Sequence, residues 1–81
     1  MPARVILYSR PGCHLCDEAR ETIAAVCGKR RTTWEEVDIS ADAALTSQYG
    51  EQIPVVTVDG ETVGFWRIGA DRLTRALKGR T

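Results

Sequence analysis

The sequence predicts an α/β fold: a four-stranded mixed sheet with helices on both faces, built in the order β-α-β-α-β-β-α as a single domain over residues 1–81. Three observations carry that expectation. A continuous apolar run, Val5-Ile6-Leu7-Tyr8, is followed by a segment with helical spacing, which makes a β-α unit. An alternating, strand-like run comes next, so the first two strands flank a helix. Finally, Asp59-Gly60 stands between two runs of strand formers, the strongest short hairpin signal.

Each element has its own grounds. "VILY" is apolar on both faces and reads as a central strand, stopped by Ser9-Arg10-Pro11-Gly12. From His14 to Cys27, the residues Leu15, Ala19, Thr22, Ile23 and Val26 recur at helical spacing, with Gly28 expected as the stop. In "TTWEEVDIS", Val37 and Ile39 share one face and Trp34, Glu36 and Asp38 the other, as in a half-exposed edge strand. Ser40 is expected to cap a short helix through Tyr49, with Asp42 in its first turn and Leu45 and Tyr49 on its buried face. "PVVTVDGETVGF" is the hairpin. "ADRLTRALKG" places Leu73, Ala76 and Leu77 on one face of a last helix ending at Gly79. The first β-α-β must be a right-handed crossover between parallel strands, and the hairpin adds an antiparallel edge. This is the minimal thioredoxin-type architecture.

Composition narrows the function classes. The chain is 43% hydrophobic, enough for one modest core, and its 11 basic and 11 acidic residues cancel. That balance argues against broad electrostatic capture of nucleic acid or membrane. Two local departures exist: Lys29-Arg30-Arg31, and the segment from Arg67 on, with Arg67, Arg72, Arg75, Lys78 and Arg80 against Asp71. Both read as solvated surface, the alternative being a docking face for an acidic partner. No stretch approaches the roughly 20 apolar residues of a membrane span. The N-terminal apolar run is too short for a signal peptide, so a cytoplasmic location is expected. Three cysteines are too few for a disulfide scaffold; in a reducing compartment they are catalytic, metal-binding or core.

Cys13 and Cys16 lie at the junction of the first strand and helix. Pro11 disfavours helix at Arg10 and Gly12 permits a sharp turn, so Cys13 is expected at or near the N-cap. There its sulfur faces the unsatisfied amides of Leu15 and Cys16 and the positive helix end, which favour a thiolate, and Arg10 adds positive charge. Cys16 lies one turn on, with Cα atoms roughly 5–6 Å apart, within disulfide reach. It should sit deeper, near Asp17, and keep its proton longer. The asymmetry suggests that Cys13 attacks a disulfide and Cys16 resolves the mixed disulfide. Leu15 would form an apolar rim, and His14 either tunes Cys13 or is simply exposed. A tetrahedral metal site wants four ligands; of the other candidates, His14 lies between the two cysteines and points away from them, and Cys27 is roughly 16 Å away along the helix, so a metal would need a second chain. Cys27 reads as a small apolar residue. Pro54 heads the third strand, where a missing N–H is tolerated; a cis Ile53–Pro54 bond there would turn the Ile53 backbone toward an extended substrate.

"YSRPGCHLC", "IPVVTVDG" and "GFWRIGADRL" together resemble the glutaredoxin-like branch of the thioredoxin superfamily, most strongly its small Cys-His-Leu-Cys-Asp-Glu-Ala proteins. The resemblance implies Cys13 as nucleophile, Cys16 as resolving thiol and Pro54 as the cis proline. It implies glutathione contacts through Arg10, the Ile53 backbone, Gly64 and the acidic start of the last helix at Ala70-Asp71. Phe65 stands where the family has a second glycine, residues intervene before Ala70, and Leu15 replaces a common tyrosine. "GFWRIGADRL" is also similar to a segment of the redoxins that serve ribonucleotide reductase and are recharged by thioredoxin reductase. Leu7 occupies the place of the buried carboxylate of thioredoxins.

The expected function is therefore a thiol–disulfide oxidoreductase acting on protein disulfides or glutathione mixed disulfides. It would be a monomer without bound cofactor or metal, with glutathione as a cosubstrate and either glutathione or thioredoxin reductase as electron donor. Gln52 and Arg67 are further candidates to grip a substrate. The alternatives are a catalytically silent binding module recruiting a partner through the basic last helix, and an iron–sulfur or metal carrier formed as a bridged dimer.

Overall fold

The structure, a computed structural model, describes residues 3–78. The elements are β1 (Val5–Ser9), α1 (His14–Lys29), β2 (Trp34–Asp38), a 3-10 turn (Ile39–Ala41), α2 (Ala43–Tyr49), β3 (Val55–Val58), β4 (Glu61–Phe65) and α3 (Ala70–Lys78). The sheet order is β2-β1-β3-β4, with β1 and β2 parallel and the other two pairings antiparallel. This is the expected mixed four-stranded sheet in the expected chain order. The expected helix stop at Gly79 and the basic residue Arg80 lie outside the described residues.

The apolar run of β1 takes the centre of the sheet. Val5, Leu7 and Ser9 are buried on one face, while Ile6 and Tyr8 point to the other and are half-buried. Val5 and Leu7 join Ala19, Ile23, Val26 and Cys27 of α1, Val56 and Val58 of β3, and Leu73 and Leu77 of α3 in the main core. On the opposite face the Tyr8 ring stacks on Tyr49 of α2 at 4.6 Å between centroids. A smaller apolar cluster at the end of β1 gathers Cys16, Ile39 and Ile53, with Tyr8, Cys13, Leu45 and Tyr49 against it. The hairpin turns on Asp59 (φ 51°) and Gly60 (φ 87°), both left-handed as the Asp-Gly pair requires. A register shift between Val56 and Thr57 leaves Val63 as an extra residue in β4.

Two helix ends differ from the sequence expectation. Gly28 does not stop α1; it lies within the last turn, and the left-handed residue is Arg31 (φ 51°). The amide of Arg31 reaches the Gly28 carbonyl and that of Thr32 the Cys27 carbonyl, so the ring of bonds that closes a Schellman end forms around an arginine. Ser40 does not cap α2. Its amide and hydroxyl both donate to the Asp38 carboxylate, closing the 3-10 turn that carries Ile39 out of β2. Asp42 is the N-cap instead, accepting from the amides of Ala44 (2.9 Å) and Leu45 (3.1 Å). A carboxylate is the better acceptor for amides at a helix start, and Asp42 lies two residues nearer the helical run. Among the described residues no helix is long and apolar enough to cross a membrane.

Candidate active site

β1 ends at Ser9, and the chain turns through Arg10-Pro11-Gly12, with Gly12 at φ 80°. Cys13 is extended (φ −95°, ψ 112°) and is the N-cap of α1. Its Sγ accepts the Cys16 amide at 3.2 Å, so a helix-start donor is aimed at the sulfur, as the strand-to-helix junction predicted. Cys13 is partly exposed, whereas Cys16 is 1% exposed, and both thiols are free. The Cys16 thiol is pushed up to about 12, first by burial and then by its hydrogen bond to Cys13; the backbone of Arg10 pulls the other way. Asp17 is not the cause. Its side chain is exposed and paired with Arg20 at 2.8 Å. Cys27 is buried in the main core, its thiol pushed up by burial alone.

The reduced, folded protein is expected to take up one iodoacetamide, at Cys13, and two more only after unfolding in guanidinium. The native protein's mass and the map of its modified peptide check this. Native alkylation of Cys16 at a comparable rate would contradict the burial asymmetry.

Beneath the cysteines lies a polar network that the sequence did not reveal, because it joins three elements. The Glu36 carboxylate of β2 accepts from Arg20 Nε and Nη2, both at 2.7 Å, and from Ser9 Oγ at 2.6 Å. Arg20 also holds Asp17. Arg20 is four residues after Cys16, so the network sits one turn behind it on the same helix side. The Arg20 guanidinium, with Ser9, holds the Glu36 carboxyl below the usual carboxylate range against a burial effect that raises it. A depressed folded-state value stabilises the fold above the unfolded value of about 4.3, and this contribution is lost as pH falls through the folded one. The partners are part-exposed, so solvent screening limits the effect to about 1 kcal/mol. Glu36→Gln is therefore expected to lose less stability than the wild type between pH 7 and pH 3. Urea midpoints at the two pH values test it, and identical pH dependence would remove the assignment.

The other sequence-predicted residues divide into two groups. Ile53 and Pro54 are buried, joined by a cis peptide bond, and Ile53 shares the small cluster with Cys16 and Cys13. Arg10 and His14 are exposed beside the cysteines. Gly64 is buried opposite Val56, and a Cβ there would meet Ile68 Cδ1 at 3.3 Å. Ala70 and Asp71, by contrast, line a recess with Ala25, Val26, Lys29, Arg30 and Thr74, toward the other end of α1 from Cys13. Four residues, 66–69, separate β4 from α3.

Trp66 takes a place that sequence reasoning did not assign to it. Its amide donates to the carbonyls of Pro54 (2.9 Å) and Gln52 (3.3 Å), and its indole Nε1 donates to the Glu51 carbonyl (3.0 Å). These bonds accompany a left-handed backbone (φ 62°). Phe65 packs edge-on against it at 5.1 Å, and both rings are exposed, Phe65 at 45% and Trp66 at 53%. With Leu15 and Arg67 they line an open groove of about 510 Å³. The available signal was adjacency: two neighbouring aromatics in a chain with only two tryptophans, two tyrosines and one phenylalanine. Arg67 makes a 4.0 Å contact with Glu18, both side chains well exposed. Among the described residues no group of three or more His, Cys, Asp or Glu is gathered to hold a metal.

Residues 4–78 match the glutaredoxin-like domain (DUF836). A structural-genomics target, XcR50 from X. campestris, is 37% identical, superposes with a TM-score of 0.79, and is matched over 95% of this chain and 99% of that one. An uncharacterized protein of Mycobacterium tuberculosis is 27% identical over 75 residues, 86% of this chain and 77% of its own length. Reduced Escherichia coli glutaredoxin is similar in fold, with a TM-score of 0.62 at 23% identity over 94% of each chain. The chain belongs to the glutaredoxin-like domain family, within the thioredoxin-type folds, as its motifs led us to expect.

Proposed function

We propose that the protein is a thiol–disulfide oxidoreductase working through a dithiol cycle at Cys13 and Cys16. One observation carries the reading: an accessible sulfur held at a helix N-terminus by the Cys16 amide, with a second, buried thiol one turn behind it. The Cys13 thiolate attacks one sulfur of a substrate disulfide; a mixed disulfide forms and the other sulfur leaves as a thiolate. Two of the influences that keep Cys16 protonated, its hydrogen bond to Cys13 and the Cys13 charge, then vanish, because Cys13 is covalently engaged. Burial remains the largest. Cys16 gives up its proton to solvent or to the departing thiolate and attacks Cys13 Sγ. The second substrate thiol is released and a Cys13–Cys16 disulfide remains, so two electrons have passed to the substrate.

Protein disulfides and glutathione mixed disulfides are the substrates this cycle fits. In support, Ile53 shares the small apolar cluster with Cys13 and Cys16, Pro54 follows it in the chain, Arg10 is exposed three residues before Cys13, and a Cβ on Gly64 would meet Ile68. Ala70 and Asp71 line a separate recess with Ala25, Val26, Lys29, Arg30 and Thr74. No bound cofactor enters the cycle; glutathione or thioredoxin reductase returns the electrons. The test is to incubate the oxidised protein with NADPH and either thioredoxin reductase or glutathione with its reductase, and to count protein thiols over time. Two new thiols per chain are expected with one of the systems. Reduction by neither would sink the proposal.

A further inference from the structure

The groove beside the cysteines is built from residues that the dithiol cycle does not use. One wall is Leu15, which lies between Cys13 and Cys16 on the first turn of α1. The other is Phe65 and Trp66. Both walls are tied to the reacting centre. Leu15 moves with the cysteines, and Trp66 is bonded to the carbonyls of Gln52 and Pro54, on either side of the Ile53 that packs against Cys16. A left-handed backbone is unfavourable for a tryptophan, so this exposed ring is held in place rather than loosely displayed. A rigid aromatic side chain at a surface binds with little further loss of freedom.

Resting on the oxidoreductase reading, we propose that this groove selects protein substrates, taking a large apolar side chain adjacent in sequence to the substrate's disulfide cysteine, with Arg67 at its rim receiving a neighbouring carboxylate. The occupant follows from the chemistry of the walls. A protein chain bound through its cysteine at Cys13 continues in both directions and lays its neighbouring side chains across Leu15. Glutathione has no apolar side chain, so the Leu15–Phe65–Trp66 surface offers it nothing. The exposed Arg67–Glu18 contact is weak enough in solvent for Arg67 to turn to a bound acid.

The test uses the reduced full chain and three mixed disulfides with thionitrobenzoate, whose release is coloured. Two are peptides identical except that phenylalanine and aspartate flank the cysteine in one, and serine and asparagine in the other; the third is glutathione. The wild type is expected to react with the apolar peptide about tenfold faster or more than with the polar one, the scale of one well-buried anchor. Trp66→Ala and, from the opposite wall, Leu15→Ser should each bring that ratio close to one. A ratio is read because loss of folded protein slows both peptides equally. Equal wild-type rates with the two peptides, or a ratio that survives both substitutions, would overturn the selection while leaving the dithiol cycle intact. If none of the three mixed disulfides reacts faster than with Cys13→Ser, the oxidoreductase reading fails and the selection with it.

Discussion

A Cys16→Ser variant is expected to accumulate as a covalent adduct with its protein substrate, and a Cys13→Ser variant to form no adduct and to lose disulfide reduction by about a thousandfold or more. The reasoning is positional. The sulfur that solvent can reach is Cys13, with a helix amide already aimed at it; Cys16 is sealed behind it and meets only a sulfur bonded to Cys13. Removing the buried thiol leaves the first attack possible and the second impossible. Non-reducing electrophoresis and intact mass would show substrate attached through Cys13 alone. Adducts mapping to Cys16 in the Cys13→Ser variant would reverse the assignment of roles. Undiminished turnover of protein disulfides by Cys16→Ser would remove the dithiol cycle, while turnover confined to glutathione mixed disulfides would mark a route that needs Cys13 only.

The largest expected loss of stability comes from Leu7→Ala. Leu7 is 0% exposed on a central strand, between Glu36 of β2 and Val56 of β3 in register, beneath α1 and α3. Truncating such a leucine costs about 2–5 kcal/mol, because the apolar contact is lost and the cavity closes only in part. Natural domains hold only about 0.05–0.15 kcal/mol per residue, so this is a large fraction of the total for a chain of 81 residues. At about 4–8 °C per kcal/mol for a domain of this size, the Tm should drop by at least about 8 °C. Thermal unfolding followed by circular dichroism measures it, and a drop under about 3 °C would show that the site collapses or was never the centre of the core.

Leu7 was legible in the sequence for the same reason the strand order was. A four-residue apolar run is buried wherever a sheet forms, and the hairpin at Asp59-Gly60 follows from backbone conformations that few other residue pairs tolerate. The cysteine pair was equally legible, since one helical turn sets its geometry without help from the rest of the chain. What escaped depended on competition or distance. Asp38, Ser40 and Asp42 are all able to cap, and the choice among them rests on where β2 releases the chain. The Glu36–Arg20–Ser9 network joins three elements, so no local pattern announces it. Ala70 and Asp71 were aligned to the site by motif order, and they line a recess against the later turns of α1, while the Trp66 amide bonds the carbonyls on either side of Ile53.

The place of β2 at the outside of the sheet has a consequence for the protein in concentrated solution. An outer strand offers its free backbone groups as a template on which another chain can add, the first step of cross-strand aggregation. Three of the five residues on this margin, Glu35, Glu36 and Asp38, are acidic and exposed, and of these Glu36 is already held by Arg20. A second copy adding there in parallel would bring its own acids alongside them, and like charges set side by side across strands repel. The edge is thereby guarded by charge rather than covered by a helix, and the guard weakens as added salt screens it.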